Sequence, residues 1–471
     1  MMRRQIRIVT VGLSVGLGAT GVGAYELRLQ GNDYGELTGR IRAMSILSAA
    51  NNGWDPSSGE SYSVMAGYKS PVWNGFRFNA AGYLNGDIFN STDFRPKVGK
   101  ARTARGMFLN DTGAQQGQLT NVNLSFGDKR LYAFAGRGQL ATPLTTMAYN
   151  HVPNAYTLLR VGAKPIEGLD ISLGQVTQMS WGTRAMTDWG LVGEATGTAG
   201  VAQAPNQAGL GQARFFNLGQ IALGPRADNT AGMTIASIRY AGLPHTTLSL
   251  WNYHVPDLAN NVYVEADAKI PLHEVKLDLG AQYLRQDDVG SGTRGIQGGP
   301  AIQANFGDGD LDYRLFGLKA GLIGPKNKWT AHVMWNQSDG DTAFFNAFGG
   351  DPAFTSSIFS GNAYRKDVNA WGLRASYQIM PGLRFMAGYF DYGQSKTIGA
   401  VPNVTPSALP TSNASELDLS LTYRPQQVKG LAIRTFYVNR TSEYDGFVNP
   451  RTGNQADATM NHWRLIATYS F

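Results

Sequence analysis

The stretch 461–471 reads NHWRLIATYSF, and it decides how the rest of the chain is to be read. Trp463, Leu465, Ala467, Tyr469 and Phe471 form one row; His462, Arg464, Ile466, Thr468 and Ser470 form the other. The period is 2, so this is a strand with one apolar face and one more polar face. In a soluble sandwich the apolar row would face a core. In a membrane barrel it faces lipid, with aromatic residues at the interfaces and the polar row toward a lumen. One strand does not separate these readings. The repetition of the pattern along the chain does.

The N-terminus carries Arg3, Arg4 and Arg7, then an apolar, Gly-rich run over 8–22 and small residues to Ala24. That is the layout of a secretory signal peptide, so residues 1–24 are expected to be removed. The alternative is a membrane anchor, but the run is short and Gly-rich for a span of about 20 apolar residues. Cleavage after Ala24 removes three Arg, which lowers the formal charge from +7 to +4 and leaves 447 of the 471 residues.

No later segment is long and apolar enough for a transmembrane helix, and mean hydropathy is −0.23. That excludes an α-helical membrane protein but not a barrel, in which only alternate residues need be apolar. There is no Cys, which fits an exported chain and rules out thiol catalysis and Cys-bound metal. The 58 Gly and 11% aromatic residues suit an all-β chain. The pI near 9.3 comes from basic residues scattered singly, so nucleic acid is not an expected partner.

From Tyr34 onward, strand-like segments of about ten residues alternate with turns and loops. Hairpins are expected across 71–75, 128–129, 165–168, 243–245, 271–273, 324–327, 380–382 and 425–430. Longer polar connections lie at 88–117, 286–310, 337–367 and 394–415. Outer-membrane barrels have this asymmetry, with short periplasmic turns and long extracellular loops. The segment 213–223 also looks strand-like, but counting it would switch the side on which short turns fall. Placing it within the long loop 180–231 restores alternation. The expected fold is therefore an all-β transmembrane antiparallel barrel over 25–471, with eighteen strands and sixteen as the alternative.

One row of each strand is apolar: Trp371, Leu373, Ala375, Tyr377 and Ile379 are an example. The complementary rows carry charge, among them Arg40, Arg42, Lys69, Arg77, Arg160, Arg239, Arg374, Arg384, Arg434 and Arg464. Acids share these rows at Glu265, Asp267, Asp278 and Asp418. An Arg or Lys facing hydrocarbon at mid-depth costs about 2–4 kcal/mol, so these rows face water. A barrel this wide is not filled by its own side chains, so a water channel is expected, narrowed by an inward loop. Arg40, Arg42, Arg77, Arg160, Arg374, Arg384 and Arg434 are the expected pore-lining set. They act either as a basic strip that focuses positive potential on anions or as lumen wall paired with acids on neighbouring strands.

The chain resembles outer-membrane porins of the OprD type, the eighteen-stranded substrate-selective channels. The marker is 136–174, GRGQLATPLTTMAYNHVPNAYTLLRVGAKPIEGLDISLG, in which Thr142, Pro143, Leu144, Pro153, Glu167, Gly168, Leu169 and Asp170 match. Matches in kind are Gly82-Tyr83-Leu84, Pro381-Gly382-Leu383 and Arg464-Leu465-Ile466. The resemblance implies that 143–154 is an inward constriction loop and that an arginine ladder leads to it, with Arg434 the nearest match beside Arg40 or Arg42 and Arg374. Members commonly carry Arg three residues before the loop Pro. Asn150 stands there, with His151 next to it, so the family's carboxylate selectivity is not carried over by this resemblance. The terminal Phe471 resembles the signal read by outer-membrane assembly machinery.

Rival readings have less behind them. None of the six His sits in a GxSxG, HExxH or paired-His arrangement, so their pattern gives no motif for an enzyme on a barrel. Acids at Asp308, Asp310 and Asp312, or Asp339 and Asp341, read as solvated loop residues rather than a metal site. A closed barrel acting as adhesin or enzyme is the runner-up. The expectation is a passive porin of a Gram-negative outer membrane for small hydrophilic solutes, with mild anion preference and no cofactor. Its partners are small hydrophilic or anionic solutes and outer-membrane lipid, with a homotrimer left open. The long loops are expected to be exposed at the cell exterior.

Overall fold

Alternating rows leave each strand with two unlike faces, and a closed cylinder is the arrangement that separates them without leaving an edge. The computed structural model describes residues 25–29, 32–50, 57–89, 107–109, 113–146, 148–183, 215–219, 232–290, 310–345, 348–400, 408–443 and 458–471. The expected signal peptide, residues 1–24, lies outside them, as do Asp308 and much of the connections at 88–117 and 180–231.

Twenty strands form one continuous sheet, and setting aside two short ones leaves a barrel of eighteen. Strands β1 to β6 are Asn32–Ala50, Ser57–Lys69, Phe76–Asp87, Gln116–Gly127, Leu131–Gly138 and Ala155–Ala163. Strands β7 to β12 are Leu169–Ser180, Met233–Leu243, Thr246–Val255, Ala259–Leu272, Val275–Asp288 and Asp312–Ile323. Strands β13 to β18 are Trp329–Asp339, Asn369–Met380, Leu383–Asp391, Asn413–Tyr423, Leu431–Glu443 and Ala458–Ser470. Each pairs antiparallel with the next, and β18 closes onto β1 with Ser470 opposite Arg40 and Met460 opposite Ala50.

The seam ends where the chain does. Gly39 and Phe471 exchange backbone hydrogen bonds of 2.8 and 3.0 Å, and the Phe471 ring lies over Gly39, where a Cβ would stand 2.1 Å from its tip. Below that point the short strand Tyr25–Leu29 takes over the edge of β1, with Tyr25 opposite Leu37. The sequence reading did not anticipate this strand.

The turns follow from their residues. Met380 pairs with Leu383 across Pro381 and Gly382; Pro fixes φ at the first corner and Gly382 supplies φ +83° at the second. Asn74 and Gly75, both at positive φ, do the same work after β2. At the other end the connections are long, with two exceptions. Residues 51–56 join β1 to β2. Only residues 256–258 join β9 to β10. Of the segment 213–223, Phe216–Asn217 forms a two-residue strand paired antiparallel with the end of β7.

The outward rows are exposed and apolar, with Leu159, Leu173, Ile41 and Trp463 each more than half accessible. In hydrocarbon, each such side chain is worth about 1.5–3 kcal/mol relative to water. The inward rows are polar and are covered by chain returning into the cylinder.

Candidate functional site

The inward row of β17 carries Arg434, that of β18 carries Arg464, and that of β1 carries Arg40 and Arg42. Register brings them together: Arg434 stands opposite Ile466, Arg464 opposite Phe436, and Arg42 opposite Thr468. Their hydrogen-bond partners are neutral. Arg434 Nε donates to Ser420 Oγ at 3.1 Å, and Arg42 Nε donates to Thr468 Oγ1 at 3.0 Å. Arg40 donates to the Tyr149 hydroxyl at 3.1 Å and to the His151 carbonyl at 2.6 Å. Arg464 donates to the Asn150 side-chain oxygen, and Arg42 to the Asn150 carbonyl. Aromatic faces complete the surroundings, with Arg40 5.1 Å from the Tyr83 ring and Arg464 5.0 Å from Phe436. Among the described residues, none of these four arginines makes an ion pair.

What they hold is the connection between β5 and β6. Thr142, Pro143 and Leu144 make a tight turn in which the Thr142 carbonyl accepts from the N–H groups of Thr145 and Thr146. That turn sits beside β9, where Leu144 N–H reaches the Tyr253 hydroxyl at 3.4 Å. Asn150 and His151 lie at the other side, against β18, β1 and β2. The buried His151 ring bridges two serines of β2, with Nε2 2.8 Å from Ser61 Oγ and Nδ1 2.9 Å from Ser63 Oγ. Thr183 clamps the backbone, accepting at Oγ1 from His151 and Val152 N–H, both at 2.7 Å. Burial pushes the His151 imidazole well below its usual range, and the neighbouring Arg42, Arg40 and Arg464 push the same way. Pro153 is buried as the chain turns back into β6. The described parts of the segment thus touch β9 on one side and β18, β1 and β2 on the other.

A second connection, 340–368 between β13 and β14, also lies inside. The expectation that it is exposed at the cell exterior is corrected: Phe344, Phe345, Phe348 and Phe359 are buried. Gly350 N–H donates to the Leu144 carbonyl at 3.0 Å, and the Tyr156 hydroxyl donates to the Phe348 carbonyl at 2.9 Å, so the two connections brace each other. Its aromatic residues explain the course, since they have an interior to fill and would be costly in water. Met107, Phe108 and Leu109, from the connection after β3, are likewise buried, in contact with Asn85 and Ser61.

The other arginines of the expected set lie elsewhere. Arg374 on β14 meets the second connection by donating to the Ser356 carbonyl at 2.9 Å. Arg384 bonds Ser376 and the Asn327 carbonyl beside a periplasmic turn. Arg160 on β6 donates to Ser172 at 2.9 and 3.2 Å, and Arg77 on β3 stands beside Ser125 of β4. None of these four joins the group around Asn150. Across the barrel, β10 to β13 form a different wall. Lys319 lies 2.9 Å from Asp267 and 3.7 Å from Asp278, and His332 lies 2.9 Å from Asp278. Pairing across strands is thus real for these acids, with Lys and His as partners.

A closed eighteen-strand barrel with a polar lumen and returning loops is the architecture of an outer-membrane porin. The chain belongs to the OprD family: the model for "outer membrane porin, OprD family" matches residues 134–471. No curated protein matches it by sequence. Among solved structures, it is similar to Pseudomonas aeruginosa OpdK with vanillate, with a TM-score of 0.65 at 12% identity, covering 92% of this chain and 98% of that one. Acinetobacter baumannii OccAB4 gives 0.64 at 14%, over 93% and 98% of the two chains. Pseudomonas aeruginosa OccK2 (OpdF) in complex with glucuronate gives 0.62 at 15%, over 92% and 98%. The protein is a porin of the Gram-negative outer membrane.

Proposed function

We propose that this porin passes small hydrophilic solutes by passive diffusion and favours anions, with Arg40, Arg42, Arg434 and Arg464 as the selecting group. The observation that carries this is their partner set of hydroxyls, amide oxygens and rings. Neutral acceptors orient a guanidinium without cancelling its charge, so the wall keeps a positive potential for a solute to meet. Asn150 supports the reading in a particular way. Where relatives carry a loop arginine, this chain has an amide, and Arg464 of β18 reaches that amide from the wall. The relatives with vanillate and glucuronate hold organic carboxylates, which fits an organic anion here. In this reading 143–154 narrows the lumen, residues 1–24 export the chain, and the outward rows meet outer-membrane lipid or, in a homotrimer, a second copy.

The test is single-channel recording of the purified mature protein in a planar bilayer under a salt gradient. Ohmic steps whose reversal potential has the anion sign are expected, and Arg434→Ala should move that potential toward neutrality. Steps with the cation sign would overturn the anion reading and assign control to the lumen acids.

A further inference from the structure

Two lumen-facing acids flank the basic wall and yet are almost inaccessible. Glu416 and Asp418, on the inward row of β16, are 0% and 1% exposed. What hides them is the segment 356–360 of the second connection. Asp418 Oδ2 accepts from Ile358 N–H at 2.9 Å. The Glu416 carboxylate accepts from Phe359 N–H at 2.8 Å through one oxygen and from the Ser360 hydroxyl at 2.6 Å through the other. The segment's other side faces two guanidinium groups and a histidine ring. The Ser356 carbonyl accepts from Arg374, and the Phe359 ring lies 5.5 Å from the Arg464 guanidinium and 4.4 Å from His462.

The placement has an electrostatic consequence. Asp418 sits two residues from Ser420, the residue that holds Arg434. Without the segment, two carboxylates would open onto the lumen beside Arg374 and Arg434, well within the ~8–10 Å over which charges act at ordinary salt. They would attract cations and compensate the arginines. With the segment in place, three donors engage the acids and close them off from the lumen, and a permeating ion meets the less buried guanidinium groups of Arg42 and Arg434.

We infer that residues 356–360 are a specificity-determining strap, which sets the channel's charge preference by withdrawing Glu416 and Asp418 from the lumen. This deepens the anion reading above and rests on it. A strap acting only as a steric obstruction would change conductance and leave selectivity alone, and that difference makes the inference testable.

The experiment compares three folded, heat-modifiable proteins by reversal potential in a KCl gradient. These are the wild type, a variant with 356–360 replaced by two glycines, and that variant carrying Glu416→Gln and Asp418→Asn. The replacement should lower the chloride-to-potassium permeability ratio by about twofold or more, and neutralising the acids should restore it. A rise in conductance with an unchanged ratio would overturn the inference, as would a lowered ratio that the acid substitutions fail to restore. Should the replacement fail to fold, Ile358→Pro removes the N–H that Asp418 accepts, and the same shift and the same rescue by Asp418→Asn are required of it. A cation-selective wild type would overturn the anion reading alone, because the strap is judged by the shift relative to wild type.

Discussion

The wall of β17, β18 and β1 and the wall of β10 to β13 are built from the same materials, cationic side chains on inward rows of neighbouring strands. They differ in what the cations touch. Arg40, Arg42, Arg434 and Arg464 end on hydroxyls, amide oxygens and aromatic faces. Lys319 and His332 end on Asp267 and Asp278. The first wall keeps its charge and needs loops to order its side chains. The second sets Lys319 against acids of the two preceding strands and needs only the register of four strands. An inward basic side chain in this barrel is therefore not one feature but two, and the partner decides which.

The largest expected effect comes from stripping the first wall. Replacing Arg42, Arg434 and Arg464 together by Ala should lower the anion-to-cation permeability ratio by about tenfold, read from reversal potentials. A ratio unchanged in a folded barrel would erase the functional distinction between the walls. Breaking the second wall should act on stability first. Lys319→Met leaves Asp267 and Asp278 facing each other without their cation, and about 1–3 kcal/mol of unfolding free energy should be lost in a urea titration in detergent. Adding Asp267→Asn should recover part of it, whereas no recovery would mean that Lys319 acts through packing.

A smaller effect is tied to pH. The free imidazole titrates near 6.5, and His151 in the folded protein titrates well below that. Between those two values the unfolded chain binds the extra proton, so stability falls as pH falls, by at most about 1.4 kcal/mol per pH unit. Above the unfolded value this contribution does not change with pH. The temperature of heat modification should therefore drop between pH 7 and pH 5, and His151→Gln should flatten the drop. A profile identical to wild type would remove His151 from the acid response. Smallest of all, Ser63→Ala takes one hydrogen bond from the ring and should cost about 1 kcal/mol, with the reversal potential unchanged.

The eighteen-strand barrel was readable, with sixteen left as the alternative, but the short strand Tyr25–Leu29 was not. Period-2 rows, Pro-Gly and Asn-Gly turns and the asymmetry of connection lengths are local signals, and a barrel repeats them eighteen times. The site was readable in part. Arg434 and Arg42 stand out by their row, and 142–153 stands out by its Thr-Pro-Leu and its second Pro. Arg464 was visible on its row but gave no sign of reaching Asn150, because that contact joins positions 314 residues apart. The strap was missed, although two hints were present. Glu416 and Asp418, two like charges on one inward row, need donors, and Ile358-Phe359 sets two large apolar side chains among the hydroxyl donors of SSIFS at 356–360.

By itself, then, the sequence determined which face of each strand turns outward, narrowed the strand count to eighteen or sixteen and placed most of the turns, because each follows from the chemistry of neighbouring residues. Only the tertiary structure decided which lumen charges remain available to a solute. That depends on which loop returns to which wall, and a charge is cancelled or kept by whatever lies within a few ångströms of it, however distant in the chain.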